Sequence, residues 1–184
     1  MRFFTILFGI TMLSSCSQLG NVSSEVAKLD SLLTEVNAAE KIYEENIPHE
    51  EIGIRLDSLK KIVSFAEGYS GEMSLKDANM ISKYNDTKNI IKKFKSRSPQ
   101  IKKEIERTII QLTTFREALN SKATKDKNGR VIDKLYIEKE MRKETEAAEY
   151  LVKSIKELDE RSQEFLKMNE SRLQEVLPYV NALK

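Results

Sequence analysis

MISKYNDTKNIIKKFKSRSPQIKKEIERTIIQLTTFREAL, residues 80–119, is the stretch that decides the fold. Met80, Tyr84, Thr87, Ile91, Phe94, Ser98, Ile101, Ile105, Thr108, Leu112, Phe115 and Leu119 recur along it at alternating steps of four and three. That spacing keeps returning to one side of a helix, so these mostly apolar residues form the a/d seam of a coiled coil that faces partner helices. Pro99 lies inside the run without disturbing its register. Proline removes a backbone N–H and crowds the preceding turn. The sequence therefore predicts a break near Pro99, with Ser98 as N-cap and Pro99 at the first helical position. One kinked helix is the alternative.

Working outward, sparse glycines and prolines divide the chain into three legs, about Val22 to Glu67, Ser74 to Ser121 and Ile132 to the end. Each would span about 70 Å as helix at roughly 1.5 Å per residue. The first leg carries Val22, Val26, Leu29, Leu33 and Val36, then Tyr43 and Ile47. Beyond Pro48 its seam restarts as Ile52, Leu56, Leu59, Val63 and Ala66, shifted by two positions, so a second break is expected near Pro48. Gly68-Tyr69-Ser70-Gly71 reads as a turn, and Ser74 with Asp77 has the spacing of a capping box that starts the next helix. Lys122 to Arg130 reads as a second turn, with Asn128-Gly129 supplying positive backbone dihedrals. The third leg places Met141, Ala148, Leu151, Ile155, Leu158 and Phe165 on its seam. Glu144, Ser162, Asn169 and Arg172 share that seam, either fixing register or marking where the helix projects beyond its partners. The expected fold is all-α: an elongated antiparallel three-helix bundle or coiled coil with proline breaks near Pro48 and Pro99.

Composition agrees. A third of the residues are charged, yet 31 Lys and Arg nearly balance 29 Asp and Glu. Nucleic-acid binding proteins are usually strongly basic and acidic disordered tails strongly acidic, so neither class is expected. Six glycines, three prolines and no tryptophan in 184 residues favour helix over a strand-rich fold, and the length suits one domain.

The amino terminus reads differently. Arg2 precedes an apolar run from Phe3 to Leu13, then Leu13-Ser14-Ser15-Cys16, and Cys16 is the single cysteine. The run is short of the roughly 20 residues a spanning helix needs, and it matches the layout of a secretory signal. The stretch resembles the lipobox signal peptide of bacterial lipoproteins; the family of the remaining chain is not recognised. The resemblance implies that residues 1–15 are cleaved and that Cys16 becomes the lipidated first mature residue, with residues 16–21 as tether and 22–184 as the helical domain. Two or three acyl chains give stable anchoring where one is marginal. By the family pattern, Ser17 after the cysteine and no acidic residue before Glu25 imply the periplasmic face of the outer membrane.

Candidate chemistry is thin. His49, the only histidine, stands between Pro48 and Glu50-Glu51 and lacks a second histidine or a further thiol to complete a usual metal set. It reads as an exposed residue near a helix start. No Gly-x-Ser-x-Gly elbow supports serine catalysis. Asp126-Lys127-Asn128-Gly129-Arg130 opens like a calcium loop, but Arg130 and Ile137 occupy positions where ligands belong. Carboxylate pairs such as Glu40 with Glu44 and Glu160 with Glu164 are ordinary in a chain so rich in Glu. Neither metal nor cofactor nor catalytic residue is expected. Lys92, Lys93, Lys95, Arg97, Lys102 and Lys103 form the densest basic run and are the candidate contact for an anionic surface. The plainer reading pairs that run with Glu138, Glu140, Glu144, Glu146 and Glu149 across the bundle.

The expected function is therefore that of a lipid-anchored, non-enzymatic envelope scaffold or protein-interaction module, working through a protein partner or self-association. The alternative is a periplasmic chaperone-like or ligand-binding helical protein. The Leu-Thr-x-x-Gln repeat of one helical periplasmic chaperone family is absent.

Overall fold

In the computed structural model, which describes residues 21–183, the seam quoted above is buried at every member except the half-buried Met80. Its members lie on two helices, α3 (Leu75–Asp86) and α4 (Phe94–Asn120), with Thr87 and Ile91 in the turns between them. Before them come α1 (Ser23–Lys41) and α2 (His49–Glu67), and after them α5 (Lys134–Ala182), unbroken for 49 residues. The described residues are otherwise turns, a π-helical segment at Ile42–Asn46 and a 3-10 turn at Thr87–Asn89, with no β-strand and one isolated bridge between Lys125 and Val131.

Helix directions follow from cross-helix pairs. Arg116 reaches Asp30 at 3.0 Å and Tyr43 reaches Ser98, so α4 runs antiparallel to α1. Gln163 donates to the Asn46 carbonyl at 3.2 Å, and Arg55 meets Glu170, so α1 and α2 follow α5 in the same direction. Arg172 bonds to Thr87 at 3.3 Å and to the Lys83 carbonyl, where α3 ends. Helices α1, α4 and the first part of α5 enclose the larger core, including Leu29, Val36, Ile105, Leu112, Leu119 and Ile155. A smaller core, Leu59, Val63, Ala66, Ile81, Tyr84, Val176 and Val180, lies between α2, α3 and the end of α5.

The break expected near Pro48 is present. The π-helical turn ends at Asn46, Ile47 is extended at φ −88°, ψ 108°, and α2 begins at His49. The wider π turn absorbs the register shift, because Tyr43 and Ile47 stay buried on one side and Ile52 on the other.

The break expected near Pro99 is not. Pro99 lies inside α4, and the interruption falls earlier, ending at Lys93 with the left-handed dihedrals φ 65°, ψ 14°. Two facts explain this correction. Ser98 cannot act as N-cap, because its hydroxyl is committed to Tyr43 and His49. Pro99 itself faces solvent, as does Lys95, whose carbonyl loses the N–H it would have received, so the lost bond falls on the exposed side of the helix.

Local turn chemistry follows the sequence closely. Ser74 caps α3, its oxygen accepting the Asp77 N–H at 3.2 Å while its hydroxyl donates to the Asp77 carboxylate at 2.6 Å. Gly129 has φ 79° and closes a turn on the Asp126 carbonyl at 2.9 Å. The polar seam residues of α5 do not project beyond the partner helices: Ser162 and Asn169 are fully buried.

Candidate functional site

Three polar places interrupt the apolar packing. The first is the corner at Pro48. The Tyr43 carbonyl can only accept, so His49 Nε2–H donates to it at 2.8 Å, leaving Nδ1 to accept from the Ser98 hydroxyl at 3.0 Å. Ser98 Oγ in turn receives the Tyr43 hydroxyl at 2.9 Å, which also reaches the Ser98 carbonyl. The imidazole lies against the rings of Tyr43 and Phe94, with centroids 4.5 and 5.7 Å away. His49 is thus half-buried and bonded to two other segments, not the exposed residue read from the sequence. A hydroxyl donating to imidazole has the connectivity of a nucleophile with its base. Here, however, Ser98 is 6% exposed and the far nitrogen is held by a main-chain carbonyl, not by a carboxylate. The arrangement works as a fastener between α1, α2 and α4.

The second place is the loop between α4 and α5. Asp126 organises it, accepting the backbone N–H groups of Asn128 and Arg130 at 2.8 and 2.9 Å, the Arg130 guanidinium at 2.7 Å and the Tyr136 hydroxyl at 3.1 Å. Burial acts to raise its carboxyl pKa, but the hydrogen bonds from Arg130, Asn128 and Tyr136 prevail and hold it at about 2. Arg130 also lies 5.4 Å from the centre of the Tyr136 ring. With every lone pair of Asp126 engaged, the segment is a tied turn and not a calcium loop. Beside it, Phe115, Ile132, Tyr136, Glu140 and Glu144 line a cleft of about 210 Å³. Burial, then repulsion from Glu140, pushes the Glu144 carboxyl above its ordinary value, with Arg107 and Lys143 pulling it back. Sequence reading missed Asp126 and Tyr136 as a pair. An Asx-type turn signal was present, but the partner ten residues on was not legible without the fold.

The third place is the buried end of α5. Asn169 is 0% exposed, and neither of its amide atoms has a hydrogen-bond partner. The nearby Tyr84 hydroxyl is also unpaired; burial raises its pKa, while Asn169 and Arg55 lower it. These groups lie close together without reaching bonding geometry.

The basic run is dispersed by the fold. Lys95 pairs with Asp57 at 2.7 Å, and the half-buried Arg97 reaches Ser154 at 3.4 Å. Lys92 and Lys93 lie in the turn before α4, while Lys102 and Lys103 point outward along it; all four are exposed. Among the described residues, no ion pair joins the run to Glu138, Glu140, Glu144, Glu146 or Glu149. Those glutamates lie nearer the start of α5, opposite the end of α4. The run sits opposite Ser154, twenty residues into α5, or about 30 Å from its start.

No group of three or more His, Cys, Asp or Glu side chains among the described residues is placed to hold a metal ion. No described helix is long and apolar enough to cross a membrane. Cys16 and the segment 1–15 lie outside the described residues. No family model matches the chain, and neither a curated protein nor a solved structure matches it.

Proposed function

We propose that the chain is a lipid-anchored helical module of the bacterial envelope, non-enzymatic and working through its surfaces as a scaffold for a protein partner or a second copy. In this reading the five helices make an elongated rod of three legs. α1 with α2 and α5 run one way, α3 with α4 run back between them, and Cys16 is tethered to the periplasmic face of the outer membrane. The observation that carries it is the unbroken 49-residue α5, about 70 Å long, along which every other helix is packed. Asn21 and Val22, the first described residues, lie beside Leu119, Asn120 and Lys122 at one end of it. The α2–α3 turn lies at the other, where Tyr179 feels Asp77 and Tyr69. Such a shape separates an anchored end from a distant one, and exposed Phe65, Tyr69 and Leu75 flank that distant turn as partner contacts.

The mid-rod basic run sits badly with an upright rod on a membrane. At about 30 Å it lies several Debye lengths, each roughly 8 Å, from the anchored surface. Its lysines would meet anionic headgroups only if the rod lay flat. Replacing Cys16 by Ala is expected to abolish incorporation of labelled fatty acid. A wild-type chain that takes up no label, or label that persists in the Cys16 variant, would overturn the reading. Site-directed crosslinking from Tyr69 and Leu75 in cells should then report the partner or second copy.

A further inference from the structure

The end of the molecule where the tether emerges has a composition of its own. Between Ser121 and Leu135 the chain carries Lys122, Lys125, Lys127, Arg130 and Lys134 against only Asp126 and Asp133. The two acids are engaged internally. Asp126 is enclosed by Arg130, Asn128 and Tyr136, and Asp133 caps α5 by accepting the Tyr136 N–H at 2.7 Å. Lys122, Lys125 and Lys127 are exposed and make no ion pair among the described residues, and Lys134 only a loose one with Glu138 at 3.9 Å. In the same segment two apolar side chains stand in solvent: Val131 at 60% exposure and Leu135 at 73%. Neighbouring Ile132 is buried in the core and pins the loop to the bundle. The nearby acids belong to the helices and not to the loop: Asp30, held by Arg116, lies beside Lys122, Glu140, paired with Lys143, lines the cleft with Lys125 and Lys127, and Glu117 stands in the last turn of α4.

We infer that this end is a second membrane contact, docking on anionic phospholipid headgroups beside the lipidated residue, with Val131 and Leu135 entering the interface. The inference rests on the anchored reading above and names the surface that the anchored end meets. The charge is complementary to phosphate, and the apolar Val131 and Leu135 stand on either side of Lys134 in the same segment. Asn21 and Val22 lie against Lys122, so a short tether keeps this end near the bilayer. A lipid chain plus a polybasic patch is a recognised combination for firm attachment, and cations within a Debye length of an anionic leaflet each contribute measurably. The contact would also hold α5 upright on the membrane.

The chain has no tryptophan, so single reporters are available. The lipidated full chain carrying Leu135→Trp is reconstituted on vesicles of phosphatidylcholine, with or without a minority of phosphatidylglycerol. A nitroxide-labelled lipid serves as quencher, and Leu75→Trp is the distal control. With phosphatidylglycerol present, the reporter at 135 is expected to shift to the blue and be quenched, and the reporter at 75 to be unaffected. The triple variant Lys122→Glu, Lys125→Glu, Lys127→Glu is expected to abolish the quenching while leaving the circular dichroism unchanged. In the Cys16→Ser chain, those reversals should lower vesicle partitioning roughly 100-fold. Quenching at 135 that is absent, or equal on neutral vesicles, overturns the inference. A chain that fails to float with vesicles unless phosphatidylglycerol is present sinks the lipid anchor and leaves this contact standing.

Discussion

Around the first part of α5, α1 and α4 close on it through Leu29, Val36, Ile105, Leu112 and Ile155, with no charged residue buried among them. Beyond the Pro48 corner, α2 and α3 close on the same helix through Leu59, Val63, Ile81, Val176 and Val180, a smaller set that encloses the unpaired Asn169 and Tyr84 hydroxyl. One continuous helix thus serves two cores of unequal size and polarity. Hydrophobic stabilisation scales with apolar area removed from water, and an unpaired buried polar group costs on the order of 1–3 kcal/mol. Both effects make the distal half the one that opens first. The Tyr43–His49–Ser98 fastener lies between the halves and transmits or stops that opening.

The largest effect expected is from paired truncations. Leu112→Ala and Leu59→Ala, each at a fully buried side chain, should each cost about 2–5 kcal/mol. Hydrogen exchange separates them. Leu59→Ala should release amides of α2, α3 and the end of α5 while α1 and α4 keep their protection, whereas Leu112→Ala should loosen the whole molecule. Equal loss in both halves for Leu59→Ala would show one cooperative unit and end the distinction.

A smaller effect of opposite sign is expected at Asn169. Asn169→Leu removes two unpaired polar atoms from the distal core and should raise the stability by about 1–3 kcal/mol in urea denaturation. Destabilisation would mean that the amide is partnered in solution and belongs to a register-fixing network.

The smallest effect concerns pH, and its sign differs between the halves. Glu144, in the first half of α5, has a raised carboxyl pKa, so its folded state favours the proton. Its contribution is complete below the ordinary carboxyl range and is lost as pH rises through the raised value. Glu170, in the distal half, is lowered by its hydrogen bond to Arg55 and then by Gln174. The stability it adds is present above the ordinary range and is lost as pH falls through its lowered value. Glu144→Gln should therefore stabilise at neutral pH by less than about 1 kcal/mol and have no effect once the pH is below about 4. Glu170→Gln should destabilise at neutral pH and become silent in acid. Thermal melts across that range read both, and parallel curves for the two variants would remove the electrostatic contrast.

Much of the helical architecture was legible beforehand because it is written in local periodicity. The seam from Ile91 to Leu119 is buried position by position, and the Ser74 cap and the Asn128-Gly129 turn are where short-range stereochemistry puts them. The candidate sites were less so. The six basic residues read as one run because they are close in sequence, yet Lys95 turns to Asp57 and Arg97 to Ser154, partners 38 and 57 residues away.

Sequence alone determined that this chain is helical, which faces are apolar and where the tight turns fall, since each follows from residues within a turn or two of one another. Tertiary structure alone decided that Pro99 is accommodated while the chain breaks at Lys93, that His49 joins three segments, and that Asp126 ties the loop before α5. The physical reason is shared. A proline's cost depends on whether the orphaned carbonyl meets water, and a hydroxyl, imidazole or carboxylate takes its role from whichever distant group the packing brings within 3 Å or so.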